Sequence, residues 1–182
     1  MDLIETYRSR GGYLEGHFLL ASGLHSPVFL QSAAVLQYPE EALKIGQDLA
    51  ELFPDPVSFV IGPAIGGVTL AFATAWAKNS RALFAEKSPR GGFLIRPGFK
   101  IEPGEPFLAV EDVVTSGASV LAALNSAQAA RAVPVGIAAI FDRSSGNFRP
   151  SVPFKTLAQL DAPLYSAQAC PLCAAEVPLS RV

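Results

Sequence analysis

Cysteine and charge are both scarce in this chain of 182 residues. The two cysteines, Cys170 and Cys173, lie close together and are too few to cross-link the chain, which excludes a disulfide-stabilised scaffold. Charged residues make up only 16% and the formal net charge is −2, so we expect no broad basic face and no nucleic-acid partner. No basic segment of the kind found in signal peptides opens the sequence. We therefore expect a reduced, cytoplasmic protein.

Apolar residues are abundant, at 50% of the chain, and can form a sizeable core. One run, residues 56–77, carries no charge and would be long enough to cross a bilayer. Glycines and a proline interrupt this run at 62–63 and 66–67, between a β-rich part (57–61) and an alanine-rich part (68–78). We predict a buried strand, a glycine loop and a helix here, and no membrane span.

The same alternation of strand and helix continues along the chain. Apolar runs predict strands, and alanine- or leucine-rich runs predict helices, so that the predicted strands are 57–61, 81–86, 107–111 and 135–141 and the predicted helices 40–53, 68–78 and 117–132. Residues 87–106, rich in glycine and proline, are predicted as a loop with room for a small hairpin at 92–101. Continuous apolar strands separated by helices indicate an α/β fold with a parallel sheet covered on both faces.

We expect a single domain over residues 1–182. Residues 1–38 stand outside the strand–helix alternation and are expected to form a hood over the sheet edge, residues 39–160 the α/β core, and residues 161–182 a C-terminal tail. Ligands of parallel sheets bind at the carboxyl ends of the strands. The loops that follow the predicted strands should converge there, and they are 62–67, 86–92, 111–119 and 142–146.

The loop after the third predicted strand is the most informative segment. The strand ends on two acids, Glu111 and Asp112, and a turn with hydroxyl side chains and glycine then opens a helix. Free backbone N–H groups at such a helix start, with the hydroxyls of Thr115, Ser116 and Ser119, can bind a phosphate. Carboxylates would repel that phosphate, so we expect them to accept hydrogen bonds from sugar hydroxyls, with a divalent cation nearby. The alternative is an N-capped helix whose acids are merely solvated.

Residues 110–119 resemble the 5-phosphoribosyl 1-diphosphate (PRPP) signature of type I phosphoribosyltransferases, with Glu111 in place of the commoner first aspartate. Three further segments resemble orotate phosphoribosyltransferases. They are Phe18-Leu-Leu-Ala-Ser-Gly-Leu-His-Ser-Pro, Gly62-Pro-Ala-Ile-Gly-Gly and Phe141-Asp-Arg-Ser-Ser-Gly. The PRPP signature by itself indicates the superfamily, and the other segments indicate the orotate enzymes.

The resemblance implies a type I phosphoribosyltransferase core with a small N-terminal hood. It implies that PRPP and orotate give orotidine 5′-monophosphate and pyrophosphate, a step of pyrimidine synthesis. Glu111 and Asp112 would hold the ribose hydroxyls, and residues 115–119 the 5′-phosphate. Mg²⁺ would travel with PRPP, without direct protein ligands. The PRPP-binding residues carried over are Gly62, Pro63, Ala64, Ile65, Gly66, Gly67, Glu111, Asp112, Val113, Val114, Thr115, Ser116, Gly117, Ala118 and Ser119.

The same resemblance assigns Thr115, Arg143 and Phe29 to orotate. A guanidinium is a suitable partner for the orotate carboxylate, the alternative for Arg143 being a surface ion pair with a neighbouring acid. Lys87 and Arg90 would be the catalytic cations, on a loop (86–92) that the subunits of a homodimer share. This loop departs from the family pattern, because Glu86 stands where arginine is common and the later Lys-x-His is absent.

Two alternatives to the orotate reaction remain open. One is a phosphoribosyltransferase for another base, and the other is a PRPP-sensing regulator with little turnover. The histidines, His17 and His25, are interpreted as structural. Cys170 and Cys173 have the spacing of half a zinc site, which would need an aspartate, glutamate or histidine to complete it. A tail packed by two small thiols is the preferred interpretation.

Overall fold

A computed structural model describes residues 2–20, 22–89 and 92–182. The secondary-structure elements, in chain order, are α1 (Leu3–Ser9), β1 (Tyr13–Leu19), β2 (His25–Leu30), α2 (Ser32–Leu36), α3 (Pro39–Leu52), β3 (Phe59–Pro63), α4 (Gly66–Ala77), β4 (Arg81–Lys87), β5 (Phe93–Ile95), β6 (Pro106–Val114), α5 (Ala118–Ala129), β7 (Val133–Asp142), β8 (Phe154–Gln159), α6 (Pro171–Ala174) and β9 (Ser180–Arg181). A short 3-10 helix, Ala167–Ala169, precedes α6.

The chain divides into two compact units. The first combines Met1–Val35 with Leu160–Val182, and so holds most of the hood and the tail. Its sheet has the strand order β2-β1-β9, with β1 antiparallel to β2 and parallel to β9. The C-terminal tail is thus part of the same small unit as the N-terminal hairpin.

The second unit, Leu36–Gln159, contains the larger, six-stranded sheet. Its six strands have the order β5-β4-β3-β6-β7-β8, and all neighbours are parallel except β4 and β5. Strand β3 is buried along its whole length, as expected for a central strand covered by helices on both faces. The fold class predicted from the sequence, a mostly parallel α/β sheet, is confirmed.

Helix α3 shows why the local sequence specifies its element. Pro39 occupies the first turn, where its missing N–H has no cost, and Glu40 and Glu41 follow at the positive end of the helix dipole. The apolar side chains of Ile45 and Leu49 lie on one face and are fully buried. The predicted helix 40–53 is therefore observed with nearly the same limits.

Most other predicted elements are shifted by a few residues only, one prediction was wrong, and one strand of the core sheet was not predicted. The hairpin expected at 92–101 is instead formed by β4 and β5, with Lys87 opposite Phe93. Strand β8 was not predicted, because its half-buried edge position does not require a continuous apolar run. The uncharged run 56–77 contains β3 and α4, and α4 has 12 residues. Within the described part of the chain, no helix combines the length and apolarity needed to cross a membrane.

Candidate active site

The carboxyl ends of four strands of the second unit lie side by side. Strands β6 and β7 end in register, with Val114 opposite Asp142, and the Arg143 N–H donates to the Val114 carbonyl at 2.7 Å. At the end of β3, the Ala64 N–H donates to the Ala85 carbonyl of β4 at 2.7 Å. The loops after these strands therefore meet at one edge of the sheet, as the sequence predicts.

The acid pair lies inside the last four residues of β6. Glu111 is 8% exposed and its Oε1 accepts the Asp112 N–H at 3.3 Å, while Asp112 Oδ1 accepts the Val113 N–H at 2.8 Å. Burial, and then the neighbouring Asp112 carboxylate, raise the pKa of Glu111 well above its ordinary value of 4.5. These carboxylates are not simply solvated, which argues against the plain N-capped helix.

The glycine loop after β3 approaches the acid pair. A Cβ placed on Gly66, the first residue of α4, would lie 3.9 Å from Asp112 Oδ2. A Cβ on Gly62 would lie 2.4 Å from the Gly67 carbonyl oxygen, so these two glycines are needed for the close approach of the loop to itself. Gly67 therefore serves the packing of the loop, and Gly66 is the position that faces open space beside the acids. Ile65, in the same loop, is largely exposed.

The turn between β6 and α5 presents backbone and hydroxyl groups to solvent. Thr115, Ser116 and Ser119 are exposed, and Ser116 Oγ accepts the Ala118 N–H at 3.4 Å. Gly117 caps α5 with a φ of 72°, and a Cβ there would lie 1.9 Å from a ring carbon of Phe148. Only glycine fits this left-handed and crowded position. The start of α5 is therefore held rigidly at the edge, with the N–H groups that an anion requires.

Arg143 follows β7 and is 5% exposed, so it is not the surface arginine of the alternative interpretation. The carboxylate of Asp142 accepts the Ser144 N–H at 2.7 Å, which fixes the turn in which Arg143 lies. The sequence analysis did not single out the neighbouring Ser144 as a candidate site residue. Its hydroxyl is buried and finds no hydrogen-bond partner among the described residues. The signal was its position next to Arg143 in the Asp-Arg-Ser-Ser-Gly segment.

Of the two cations predicted to be catalytic, Lys87 and Arg90, the structure describes one. Lys87 is the exposed last residue of β4, and the Ser88 N–H donates to the Gly92 carbonyl at 3.0 Å. Arg90 lies outside the described residues. Glu86 binds Arg96 across the hairpin, with Oε2 and Nε 2.5 Å apart. This ion pair gives a structural reason for an acid at a position where arginine is common.

Phe29, the remaining residue predicted for orotate, lies on β2 in the first unit. It is half-buried and its ring centroid is 5.8 Å from that of Phe18. Its assignment to orotate stays a prediction.

Curated relatives of this chain carry the name orotate phosphoribosyltransferase, and solved structures of similar fold include both orotate and adenine phosphoribosyltransferases. The orotate phosphoribosyltransferase of Thermus thermophilus is 56% identical over 183 residues, which cover 100% of both chains. The crystal structure of orotate phosphoribosyltransferase from Aeropyrum pernix has the same fold, with a TM-score of 0.71, 24% identity, and coverage of 87% of this chain and 93% of that one. The Mycobacterium tuberculosis enzyme in complex with PRPP gives a TM-score of 0.61 and 25% identity, covering 72% and 80% respectively. No protein-family model matches the chain.

Proposed function

The chain belongs to the orotate phosphoribosyltransferase family, and we propose that its reaction takes place at the carboxyl edge of the second unit's sheet. The reaction transfers the 5-phosphoribosyl group of PRPP to orotate, giving orotidine 5′-monophosphate and pyrophosphate in pyrimidine synthesis. One observation supports this location above the others. The acid pair of β6, the start of α5 and the glycine loop meet there, with Asp112 next to Gly66.

Each part of PRPP has a matching group at this edge. Glu111 and Asp112 would accept hydrogen bonds from the two ribose hydroxyls, which are donors, whereas a phosphate is not. The exposed turn 115–119 would hold the 5′-phosphate at the N-terminus of α5. The loop 62–67 would supply backbone N–H groups to the pyrophosphate, with Gly66 as its point of closest approach. The separation of acids from N–H groups fixes the orientation of PRPP.

The chemistry needs positioning and charge, and no protein nucleophile. The bond between C1′ and the pyrophosphate oxygen breaks with its electron pair leaving on oxygen. An orotate ring nitrogen forms the new bond to C1′, and the proton of that N–H is released to the departing pyrophosphate or to water. Positive charge develops on the ribose and negative charge on the departing pyrophosphate. Lys87, exposed at the end of β4, would contact that pyrophosphate. Arg90 is proposed as the second cation.

Mg²⁺ fits this edge as a companion of PRPP. When bound, it would neutralise part of the pyrophosphate charge. The oxygen donors of the acid pair suit a hard cation nearby. We nevertheless assign these oxygens to the ribose hydroxyls, with no direct metal ligand from the chain.

Arg143 is proposed to select the base. Its guanidinium would pair with the carboxylate of orotate, a group that purine bases and uracil lack. Its 5% exposure means that a partner carboxylate would be largely withdrawn from water, where a charge-assisted hydrogen bond is strong. Thr115 and Phe29 are the other proposed contacts.

The activity is tested with purified protein by following orotate absorbance in the presence of PRPP and Mg²⁺, beside parallel assays with uracil, hypoxanthine and adenine. We expect orotate to be consumed only when PRPP and Mg²⁺ are both present, and Arg143→Ala to raise KM for orotate more than KM for PRPP. Turnover of another base would contradict the assignment of Arg143. PRPP binding without any turnover would favour the sensor.

We also propose that the enzyme is a cytoplasmic homodimer. On α4, Phe72 and Trp76 are 57% and 70% exposed, with ring centroids 6.3 Å apart. Two neighbouring exposed aromatic rings on one helix are typical of a contact surface, and a second copy of the chain is the proposed occupant. The loop 86–92 would then be shared between subunits.

The dimer is tested by light scattering during gel filtration. Trp76→Glu should shift the protein toward the monomer, because it places a charge in the apolar contact. Val133→Glu adds the same charge at another exposed apolar residue and should leave the mass unchanged. A wild-type monomer would contradict the proposal.

A further inference from the structure

Two histidines and two cysteines of the first unit form a cluster that the reaction does not use. They are His17 on β1, His25 at the start of β2, and Cys170 and Cys173 in the tail. One ligand atom from each side chain lies within 4.8 Å of all the others. We propose that these four side chains bind one zinc ion, which fastens the C-terminal tail to the N-terminal hairpin.

The distances match those of a tetrahedral site. Zinc lies about 2.3 Å from sulfur and about 2.0 Å from nitrogen, which puts a sulfur and a nitrogen ligand about 3.5 Å apart. Cys170 Sγ is 3.5 Å from His17 Nε2, and Cys173 Sγ is 3.7 Å from His17 Nε2 and 3.4 Å from His25 Nδ1. Two thiolates with two imidazoles in this geometry form a donor set typical of zinc.

The hydrogen bond of His17 prepares it as a ligand. Its Nδ1–H donates to the Val177 carbonyl at 2.8 Å, which leaves the Nε2 lone pair directed into the cluster. Metal-binding histidines commonly have such a carbonyl partner on the other ring nitrogen. In the absence of metal, His17 Nε2 accepts a hydrogen bond from His25 Nδ1–H at 2.8 Å. Zinc would replace that proton and separate the two nitrogens to about 3.3 Å.

Burial indicates a structural ion. His17, Cys170 and His25 are between 2% and 5% exposed, and Cys173 is the one member that reaches solvent. Four protein ligands leave no coordination position for a substrate, which distinguishes structural from catalytic zinc. Cys173 provides the side from which the ion enters and leaves.

The ion would add to the contacts that join the tail to the hairpin in the first unit. These include a two-residue pairing of β9 with β1, the His17–Val177 hydrogen bond, and mutual backbone hydrogen bonds between His25 and Tyr165, at 2.8 and 2.9 Å. His17 and Cys170 are 153 residues apart in sequence. A bond across so long a loop removes much conformational freedom from the unfolded chain, so the ion should stabilise the fold markedly.

The test uses the full chain without a histidine tag, purified without chelator. Metal analysis should give about one zinc per chain. Replacement by cobalt(II) should give the intense visible absorption of a tetrahedral ion and a near-ultraviolet band from thiolate to cobalt. Stripping the metal should lower the melting temperature by about 5 °C or more.

Variants distinguish these ligands from their surroundings. Cys173→Ser is the most informative, because Cys173 is exposed and its replacement leaves the core intact. We expect it to lose zinc and the thiolate band, whereas Glu176→Gln, in the same tail, should retain both. Absence of stoichiometric zinc from the wild type, equal zinc in Cys173→Ser, or a Cys170–Cys173 disulfide in the native protein would each overturn the proposal. None of these results depends on phosphoribosyl transfer.

Discussion

At the sheet edge of the second unit, the hydroxyl and lysine side chains of Thr115, Ser116 and Lys87 are exposed to solvent. In the His–Cys cluster of the first unit, formed by His17, His25, Cys170 and Cys173, the polar atoms contact one another and three of the four side chains are buried. The exposed side chains of the sheet edge suit a substrate that binds from solvent and is released. The buried side chains of the His–Cys cluster suit a permanently bound structural ion.

The two regions control different properties of the protein. Groups that are exposed and aimed at a ligand contribute little to folding, so their loss should change activity more than stability. Groups that satisfy one another inside a closed cluster should change stability more than activity.

The largest expected effect is on catalysis, from Lys87→Ala. Lys87 is an exposed residue at the end of β4 whose charge would stabilise the departing pyrophosphate. We expect kcat to fall about 100-fold or more, while PRPP binding and the melting temperature remain nearly unchanged. Steady-state kinetics, PRPP titration and thermal melting measure the three quantities on one preparation.

Lys100→Ala provides the control, since Lys100 is exposed and lies outside the four loops. It should leave kcat unchanged. Lys87→Ala should lower the melting temperature much less than Cys173→Ser does. If the two decreases are equal, exposed residues of the sheet edge contribute to stability as much as residues of the His–Cys cluster, contrary to our expectation. Unchanged turnover would remove Lys87 from the mechanism.

Sequence reasoning recovered the sheet edge because its parts are local. Strand, acid pair, turn and helix follow one another between residues 107 and 129, and strand direction then brings the other loops to the same edge. The pairing of Glu86 with Arg96 depends on how β5 folds back on β4, which the intervening loop does not specify.

For the His–Cys cluster, the sequence indicated only the two cysteines, because Cys170 and Cys173 have the spacing of half a zinc site. Its histidines are 153 and 148 residues from their nearest cysteine partners, and nothing local to His17 or His25 indicates a thiol. The tail reaches the hairpin through the two-residue pairing of β9 with β1, and the short helix α6 carries Cys173. Long-range contacts of this kind leave no periodic pattern in the sequence.

The second prediction concerns a position where the sheet edge depends on packing. Gly117→Ala should lower the free energy of unfolding by about 3 kcal/mol, because a Cβ would meet Phe148 and the φ of 72° is unfavourable for alanine. Denaturant unfolding measures the change. Turnover should also fall, since the start of α5 must shift away from Phe148.

Gly104→Ala separates the two causes. Gly104 has a similar φ of 88°, but nothing lies within 4 Å of its Cβ position. Gly104→Ala should lower the free energy of unfolding by about 1 kcal/mol, because only the unfavourable φ contributes. Equal losses of unfolding free energy at the two positions would show that the Phe148 ring moves aside for the new Cβ. The start of α5 would then be less rigid than the contact with Phe148 indicates.

The smallest expected change has the opposite sign. Glu111 is buried beside Asp112, and its pKa is raised well above 4.5 because burial disfavours its charged form. Glu111→Gln should therefore stabilise the protein at neutral pH by about 1 kcal/mol while it impairs PRPP binding, as is usual for strained functional positions. Thermal melting and PRPP titration at neutral pH measure both effects.

The pH dependence identifies the cause. A carboxyl whose pKa is higher in the folded than in the unfolded state binds more protons when folded, so its presence lowers stability as pH rises from below 4.5 through the raised folded pKa. In stability, Glu111→Gln should match the wild type in acid and exceed it at neutral pH. A constant gain at all pH values would mean that packing, and not buried charge, explains the stabilisation. The buried charge of Glu111 would then not destabilise the fold, and the sheet edge would not differ from the His–Cys cluster in this respect.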